Sequence, residues 1–283
     1  MNRKTRYSSR ILLSIAKRLP RGYWPVIRAA ANRDSSLQDL PIKLKDISYE
    51  LRADLRESVF VPLYLHGRIP HQVGFDKVCR RVLRVGDTVF DIGANVGYTS
   101  ALFSDLVAEA GNVLAIEPSP GAFALLHRSL AEVPNIELVN VGVSSGEGEL
   151  TFYVPSQLDR ARLVPINGAK EIMIPTVAVD ALGVRYGHPT FLKVDVEGHE
   201  PEVFCGAAAT LARGDRPIIV FEALDPAALR QCLDVLEKLS NRAYRFLRIR
   251  NDGALVPIDA VDGSSDYLAM PEWAENRILP LAK

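Results

Sequence analysis

The chain has 283 residues, 48% hydrophobic and 24% charged, with 34 basic residues balanced by 34 acidic ones. This is the make-up of an ordinary soluble globular protein with room for one large domain and an extension. Its apolar runs are too short to span a bilayer, which predicts a cytoplasmic protein, and its three cysteines, Cys79, Cys205 and Cys232, lack metal or redox spacing and exclude a disulfide framework.

The balance of charge hides an asymmetry. Residues 1–33 hold nine Lys or Arg and no acid, which leaves the remainder at −9 (25 basic, 34 acidic). On a helical wheel Ile11, Leu12, Ile15, Ala16 and Leu19 share one arc, opposite Arg10, Ser14, Lys17, Arg18 and Arg21, and Pro20 ends the pattern. Residues 1–45 therefore read as a basic helical arm. Such a helix docks on its own domain, or lies on an anionic membrane surface as a peripheral contact. Ser14 interrupts the apolar stretch, which argues against a secretory signal.

Residues 46–84 form a lead-in to the main domain, with loops marked by Pro62, Pro70 and the segment HGRIPHQ, and a helix over 78–83. Gly86-Asp87 turn the chain into a strand at 88–92. A glycine-bent turn follows, Gly93-Ala94-Asn95-Val96-Gly97, and then a helix over 98–108. Strand, glycine turn and helix form the unit with which open α/β sheets hold nucleotide-like cofactors. A dinucleotide needs a glycine where Asn95 stands, because its pyrophosphate must approach the backbone. Asn95 therefore disfavours a nicotinamide oxidoreductase and suits a cofactor without phosphates, such as S-adenosylmethionine.

The second strand, 112–117, ends in Glu117-Pro118, and an acid at that place can accept both ribose hydroxyls. A helix at 120–131 and a strand at 136–141 follow. Two further strands, 149–154 and 171–179, flank a polar loop at 155–170 and read as an insertion beside the third strand. The alternation then resumes, with a strand at 190–196, a helix at 200–212, a strand at 217–222, a helix at 226–239, and last strands at 243–249 and 266–270. Alternating strands and helices predict a parallel, doubly wound sheet.

Ligands of such sheets bind beyond the carboxyl ends of the strands. Asp91, Glu117, Asn140, Asp195 and Glu222 sit at or near those ends and should line one cleft. Asp195, Glu197 and His199 alternate along the fourth strand and its turn, so an extended chain would put them on one side. His199 is then the natural base near neutral pH. Glu200 suits the positive start of the following helix. A divalent metal held by Asp195 and Glu197 is the less favoured alternative, because two carboxylates are few ligands and nothing else in the sequence completes a site.

The motifs VFDIGANVGYTS, AIEPSP, NVGVSS and FLKVDVEGHE, in that order, together resemble the FkbM family of S-adenosylmethionine-dependent methyltransferases, and TVAVDAL, IIVFEAL and YLAMP extend the likeness over roughly residues 58–270. Gln72 stands where the family often has a glutamate. The resemblance implies a doubly wound, Rossmann-like class I methyltransferase sheet of seven strands, the last antiparallel. It also implies an O-methyltransferase acting on a hydroxyl of a sugar, glycolipid or polyketide-like acceptor. A catalytically silent S-adenosylmethionine-binding or scaffold module is the alternative. The expected cofactor-binding residues are Asp91, Gly93, Ala94, Asn95, Gly97, Tyr98, Glu117, Pro118, Asn140 and Ser144. The expected catalytic residues are Asp195, Glu197, His199 and Glu222. Within residues 46–283, the cofactor-binding core is expected over 85–147, the insertion over 148–180 and the catalytic half over 181–283. The basic arm could meet phosphates, but no aromatic-flanked motif for base chemistry is present, so no nucleic-acid partner is expected.

Overall fold

The computed structural model describes residues 11–15, 23–154, 170–223, 225–259 and 265–278. In chain order, the arm holds α1 (Tyr23–Arg33) and β1 (Leu40–Lys43), which forms a hairpin with β2 (Glu50–Ala53) of the lead-in, and the lead-in continues with α2 (Phe60–His66) and α3 (Val73–Val82). The winding then runs β3 (Thr88–Ile92), α4 (Tyr98–Val107), β4 (Asn112–Ile116), α5 (Pro120–Leu130) and β5 (Ile136–Val139). Next come β6 (Gly142–Val143), β7 (Gly148–Val154), β8 (Lys170–Val177) and α6 (Val179–Tyr186). The remaining elements are β9 (Phe191–Val194), α7 (Glu200–Cys205), α8 (Ala208–Ala212), β10 (Ile218–Glu222), α9 (Pro226–Leu239), β11 (Tyr244–Ile249), β12 (Leu255–Pro257) and β13 (Asp266–Pro271).

One sheet organises the molecule, in the order β12-β11-β13-β10-β9-β3-β4-β5. Strands β5, β4, β3, β9 and β10 pair in parallel, and β13 runs antiparallel between β10 and β11. This is the doubly wound, Rossmann-like sheet that the resemblance implies, with its last strand antiparallel. An eighth strand, β12, is added at the edge by a turn back from β11. Crossover helices cover both faces, so each parallel strand is apolar on both sides and its residues divide by parity. Val89, Val113, Ala115, Phe191 and Val220 pack with the lead-in helices, α4 and α5. Phe90, Leu114, Leu192, Ile219 and Phe221 pack with α6 to α9.

Several elements depart from the sequence reading. The hairpin β1–β2, helix α6 and edge strand β12 had no clear local signal, α2 takes Pro62 into its first turn where a loop was expected, and the single helix expected over 200–212 is broken into α7 and α8. The strands read at 149–154 and 171–179 do form a separate sheet with β6, in the order β6-β8-β7.

The basic arm is joined to the domain. Ile27, Ala30 and Ala31 of α1 are buried in the same core as the sheet's first face. Residues 11–15 are helical, with Leu13 buried and Ile11 and Ile15 each 47% exposed. Ala16, Leu19 and the flanking Arg10, Lys17, Arg18 and Arg21 lie outside the described residues, as does the loop 155–169. Among the described residues, no helix is long and apolar enough to cross a membrane.

Candidate active site

The glycine turn after β3 is shaped by the neighbouring strand. Gly93 has φ +81°, and a side chain there would put its Cβ 1.9 Å from the carbonyl oxygen of Asp195. The backbone of β3 thus presses against the end of β9, an approach only glycine permits. Gly97 (φ +93°) meets Leu126 and Leu130 of α5 instead, at 2.7 and 2.8 Å from its hypothetical Cβ, so it serves helix packing. Asn95 takes the left-handed conformation (φ 49°), which asparagine tolerates better than most residues. The N–H groups of Gly93 and Ala94 both donate to the carbonyl of Ile116 and hold the turn on β4.

Asp91 is fully buried and faces away from solvent. It accepts hydrogen bonds from the hydroxyls of Thr99 (2.7 Å) and Ser100 (2.6 Å) at the start of α4. Its other oxygen lies 3.3 Å from Nζ of Lys193, a β9 residue that is only 4% exposed. Lys193 also donates to the carbonyl of Gly93 (2.6 Å) and lies 3.4 Å from Asp195. Burial disfavours its charge, but Asp195 and Asp91 outweigh that and raise its pKa above the ordinary lysine value. One buried ammonium therefore joins the end of β3, the glycine turn and the end of β9.

Glu117, at the end of β4, is buried. Its carboxylate accepts from the N–H of Asn95 (2.9 Å) and of Ser119 (2.8 Å). Burial pushes its pKa up to about 7, against the pull of those two hydrogen bonds. Asn140 donates to the carbonyls of Glu117 (2.7 Å) and Pro118 (3.2 Å), so it ties β5 to the β4 loop from outside.

Two cavities open at the carboxyl ends of the strands. The first spans about 680 Å³, part of it open to solvent, and is lined by Gly93, Asn95, Glu117 and Pro118, by 141–143, and by Phe152 and Ile174 of the small sheet. The second encloses about 1210 Å³, part of it open to solvent. Its floor is Glu222, Ser265 and Asp266, and its far wall comes from lead-in residues such as Ile69, His71 and Gln72. Asn95, Asp195 and Glu197 line both, so the two spaces meet there.

Carboxylates crowd this junction. Asp195, Glu197 and Glu222 can each offer an oxygen, with these atoms within 4.8 Å of one another. That is three potential oxygen ligands for a cation, where the sequence suggested two. The Glu222 pKa is pushed up to about 8, first by burial and then by the Asp195 charge. The hydroxyl of Ser265 donates to Glu222 at 2.8 Å and opposes that rise. Asp266 is raised to about 7, chiefly by burial.

Some expected residues stand elsewhere. The strand-like alternation of Asp195, Glu197 and His199 fails because Glu197 (φ 57°) and Gly198 (φ 101°) are left-handed and reverse the chain. His199 turns away from the two acids, and its Nε2 lies 3.0 Å from the hydroxyl of Ser144. Burial lowers its pKa, against Glu202. Ser144 is thus engaged with His199 and lies outside the lining of the first cavity. Tyr98 is also corrected. Its hydroxyl donates to Asp76 of α3 at 2.6 Å, so it braces the lead-in and does not line the cleft. Glu200 is buried and accepts from the N–H groups of Val196 (3.1 Å) and Gly198 (3.2 Å), steadying the turn before α7. Sequence reasoning missed Lys193, Ser265 and Asp266, and it noted Gln72 of the wall at Ile69–Gln72 without giving it a role. Lys193 carried a local signal, as a charge inside an apolar strand.

Comparison with known proteins agrees with this geometry. The model of the Methyltransferase FkbM domain matches residues 91–246. Hexuronic acid methyltransferase AglP of Haloferax volcanii is 30% identical over 167 residues, 57% of this chain and 67% of that protein. A protein-L-isoaspartate O-methyltransferase of Methanococcus maripaludis is 35% identical over 91 residues, but these span only 32% of this chain and 41% of that relative. A solved SAM-dependent O-methyltransferase from Thermotoga maritima aligns over 75% of this chain and 69% of its own, at 14% identity and a TM-score of 0.42. With more than half its length matched by the family model, and the glycine turn and acidic strand ends inside the match, the chain belongs to the FkbM family of S-adenosylmethionine-dependent methyltransferases.

Proposed function

We propose that this protein methylates a hydroxyl of a sugar-like acceptor, holding S-adenosylmethionine in the smaller cavity and the acceptor in the larger one. The observation that carries this reading is the meeting of the two cavities at Asn95, Asp195 and Glu197. The named substrate of the Haloferax relative, a hexuronic acid, supports the sugar class.

The residues of the smaller cavity suit the donor. Glu117 keeps lone pairs free for ribose hydroxyls after its two backbone bonds. The side-chain oxygen of Asn95 is buried without a hydrogen-bond partner, an acceptor that a donating ligand would satisfy. Gly93, Ala94 and Asn95 form the loop for the amino-acid part, backed by the buried Asp91 and by the packing of Gly97 on α5. The apolar residues 141–143, Pro118, Phe152 and Ile174 offer a slot for the adenine. The cofactor supplies a sulfonium-bound methyl, which passes to an aligned nucleophile by in-line displacement.

An alcohol must lose its proton to become that nucleophile. Glu222 is the group best suited to take it. It lines the larger cavity and not the smaller, is oriented by Ser265, and has a pKa pushed up to about 8 by burial. Asp195 and Glu197 hold acceptor hydroxyls at the junction, and His199 steadies the loop through Ser144. Titration calorimetry tests the donor assignment. S-adenosylmethionine and its demethylated product should bind and NAD should not, with affinity rising as pH increases through about 7, where Glu117 ionises. Saturable NAD binding that competes with adenosylmethionine would overturn the assignment.

The arm adds a peripheral membrane contact to the proposal. Nine basic residues in 1–33 and the exposed Ile11 and Ile15 suit an anionic surface. The full chain should co-sediment with vesicles containing phosphatidylglycerol and not with neutral ones. Equal sedimentation of a chain lacking residues 1–22 would make the arm purely structural.

A further inference from the structure

The charge of the larger cleft bears on which sugar it accepts, provided that cleft is the acceptor site as proposed above. We infer that it selects an acceptor rich in hydrogen-bond donors, an amino sugar before a neutral one, and rejects the uronate form of the same sugar. This would separate the chain from its Haloferax relative, whose name specifies a hexuronic acid.

Four of the side chains that line the cleft are carboxylates. Asp195 and Glu197 enter from the end of β9, Glu222 from β10 and Asp266 from β13. The amide oxygens of Gln72 and Asn95 are buried and without hydrogen-bond partners. A buried acceptor left unpaired is costly, and a ligand that donates to it removes the cost. Hydroxyls and an ammonium can donate, whereas a carboxylate can only accept.

Cations to balance a uronate are lacking. Among the described residues lining the cleft there is no Lys or Arg, and His71 is its one basic side chain. Lys193 lies behind Asp195, with its ammonium engaged by Gly93, Asp91 and Asp195. A uronate would therefore enter a field of like charge, the arrangement by which proteins exclude wrong partners.

The test uses three probes on one scaffold, the methyl glycosides of glucosamine, glucose and glucuronic acid. Binding is measured by calorimetry on the full chain saturated with adenosylhomocysteine, and transfer is followed in parallel with methyl-labelled adenosylmethionine. The glucosaminide should bind best. The glucuronide should bind at least a hundredfold more weakly than the glucoside, and Asp266→Asn should narrow that gap at least tenfold. Ranked binding without transfer to any probe would support the selection and count against hydroxyl methylation alone. Equal or tighter binding of the glucuronide, or no binding of any probe, would overturn the inference. So would a preference for the glucuronide that emerges with millimolar Mg²⁺ or Mn²⁺, because the carboxylates would then hold a metal that bridges to the uronate.

Discussion

Glu222→Gln should lower turnover by about 10²–10⁴-fold, the usual contribution of a positioned general base, while cofactor affinity stays within about twofold. The substitution keeps the shape and the Ser265 contact but removes the proton acceptor. Glu222 lines only the larger cavity, so the donor site should not sense the change. The pH profile supplies a second readout. A base works when ionised, and burial has raised this carboxylate to about 8, so wild-type kcat should climb with pH through that value and level off above it. In the glutamine variant that limb should vanish.

Stability should move the other way. The folded protein holds this proton more tightly than the unfolded chain, so stability present at low pH is lost as pH rises through about 8. The glutamine variant should therefore unfold at a temperature no lower than wild type at pH 8.5. His199→Ala, by contrast, should change kcat only a few-fold, because His199 faces Ser144 and not the acids. Full activity of Glu222→Gln would transfer the base role to Asp195 or Glu197.

Glu117→Ala should weaken S-adenosylmethionine binding by roughly 10- to 150-fold, the equivalent of about 1.5–3 kcal/mol for hydrogen bonds to a charged group. Two effects add. The ribose loses its acceptor, and the N–H groups of Asn95 and Ser119 lose theirs, which loosens the glycine turn. Glu117→Gln separates them, since one amide oxygen can still receive a single N–H. An intermediate loss for glutamine would show that both effects operate. In either variant the pH dependence of affinity near 7 should disappear. Unchanged calorimetric affinity for the alanine variant would mean that Glu117 only braces the loop.

The parallel strands were legible because side-chain direction is a local property of the backbone. Val89 and Phe90 go to opposite faces because consecutive strand residues must, and each apolar run at 88–92, 112–116, 191–194 and 218–222 announces a strand covered on both sides. Glu117, Asp195 and Glu222 could be set at the strand ends for the same reason. The identity of Asn95 alone argued for a donor without phosphates.

Tertiary structure decided which of these groups meet. His199 left the expected cluster because two successive left-handed residues, Glu197 and Gly198, break a periodicity that holds only in extended chain. Glu222 took its place from the next strand of the sheet, through the parallel pairing of β9 with β10. The need for glycine at 93 comes from the carbonyl of Asp195, about a hundred residues away. The cleft wall at Ile69–Gln72 and the floor at Ser265–Asp266 are brought together by packing of α3 and β13 around the sheet. Sequence pattern records the forces along a segment, and these contacts depend on forces between segments.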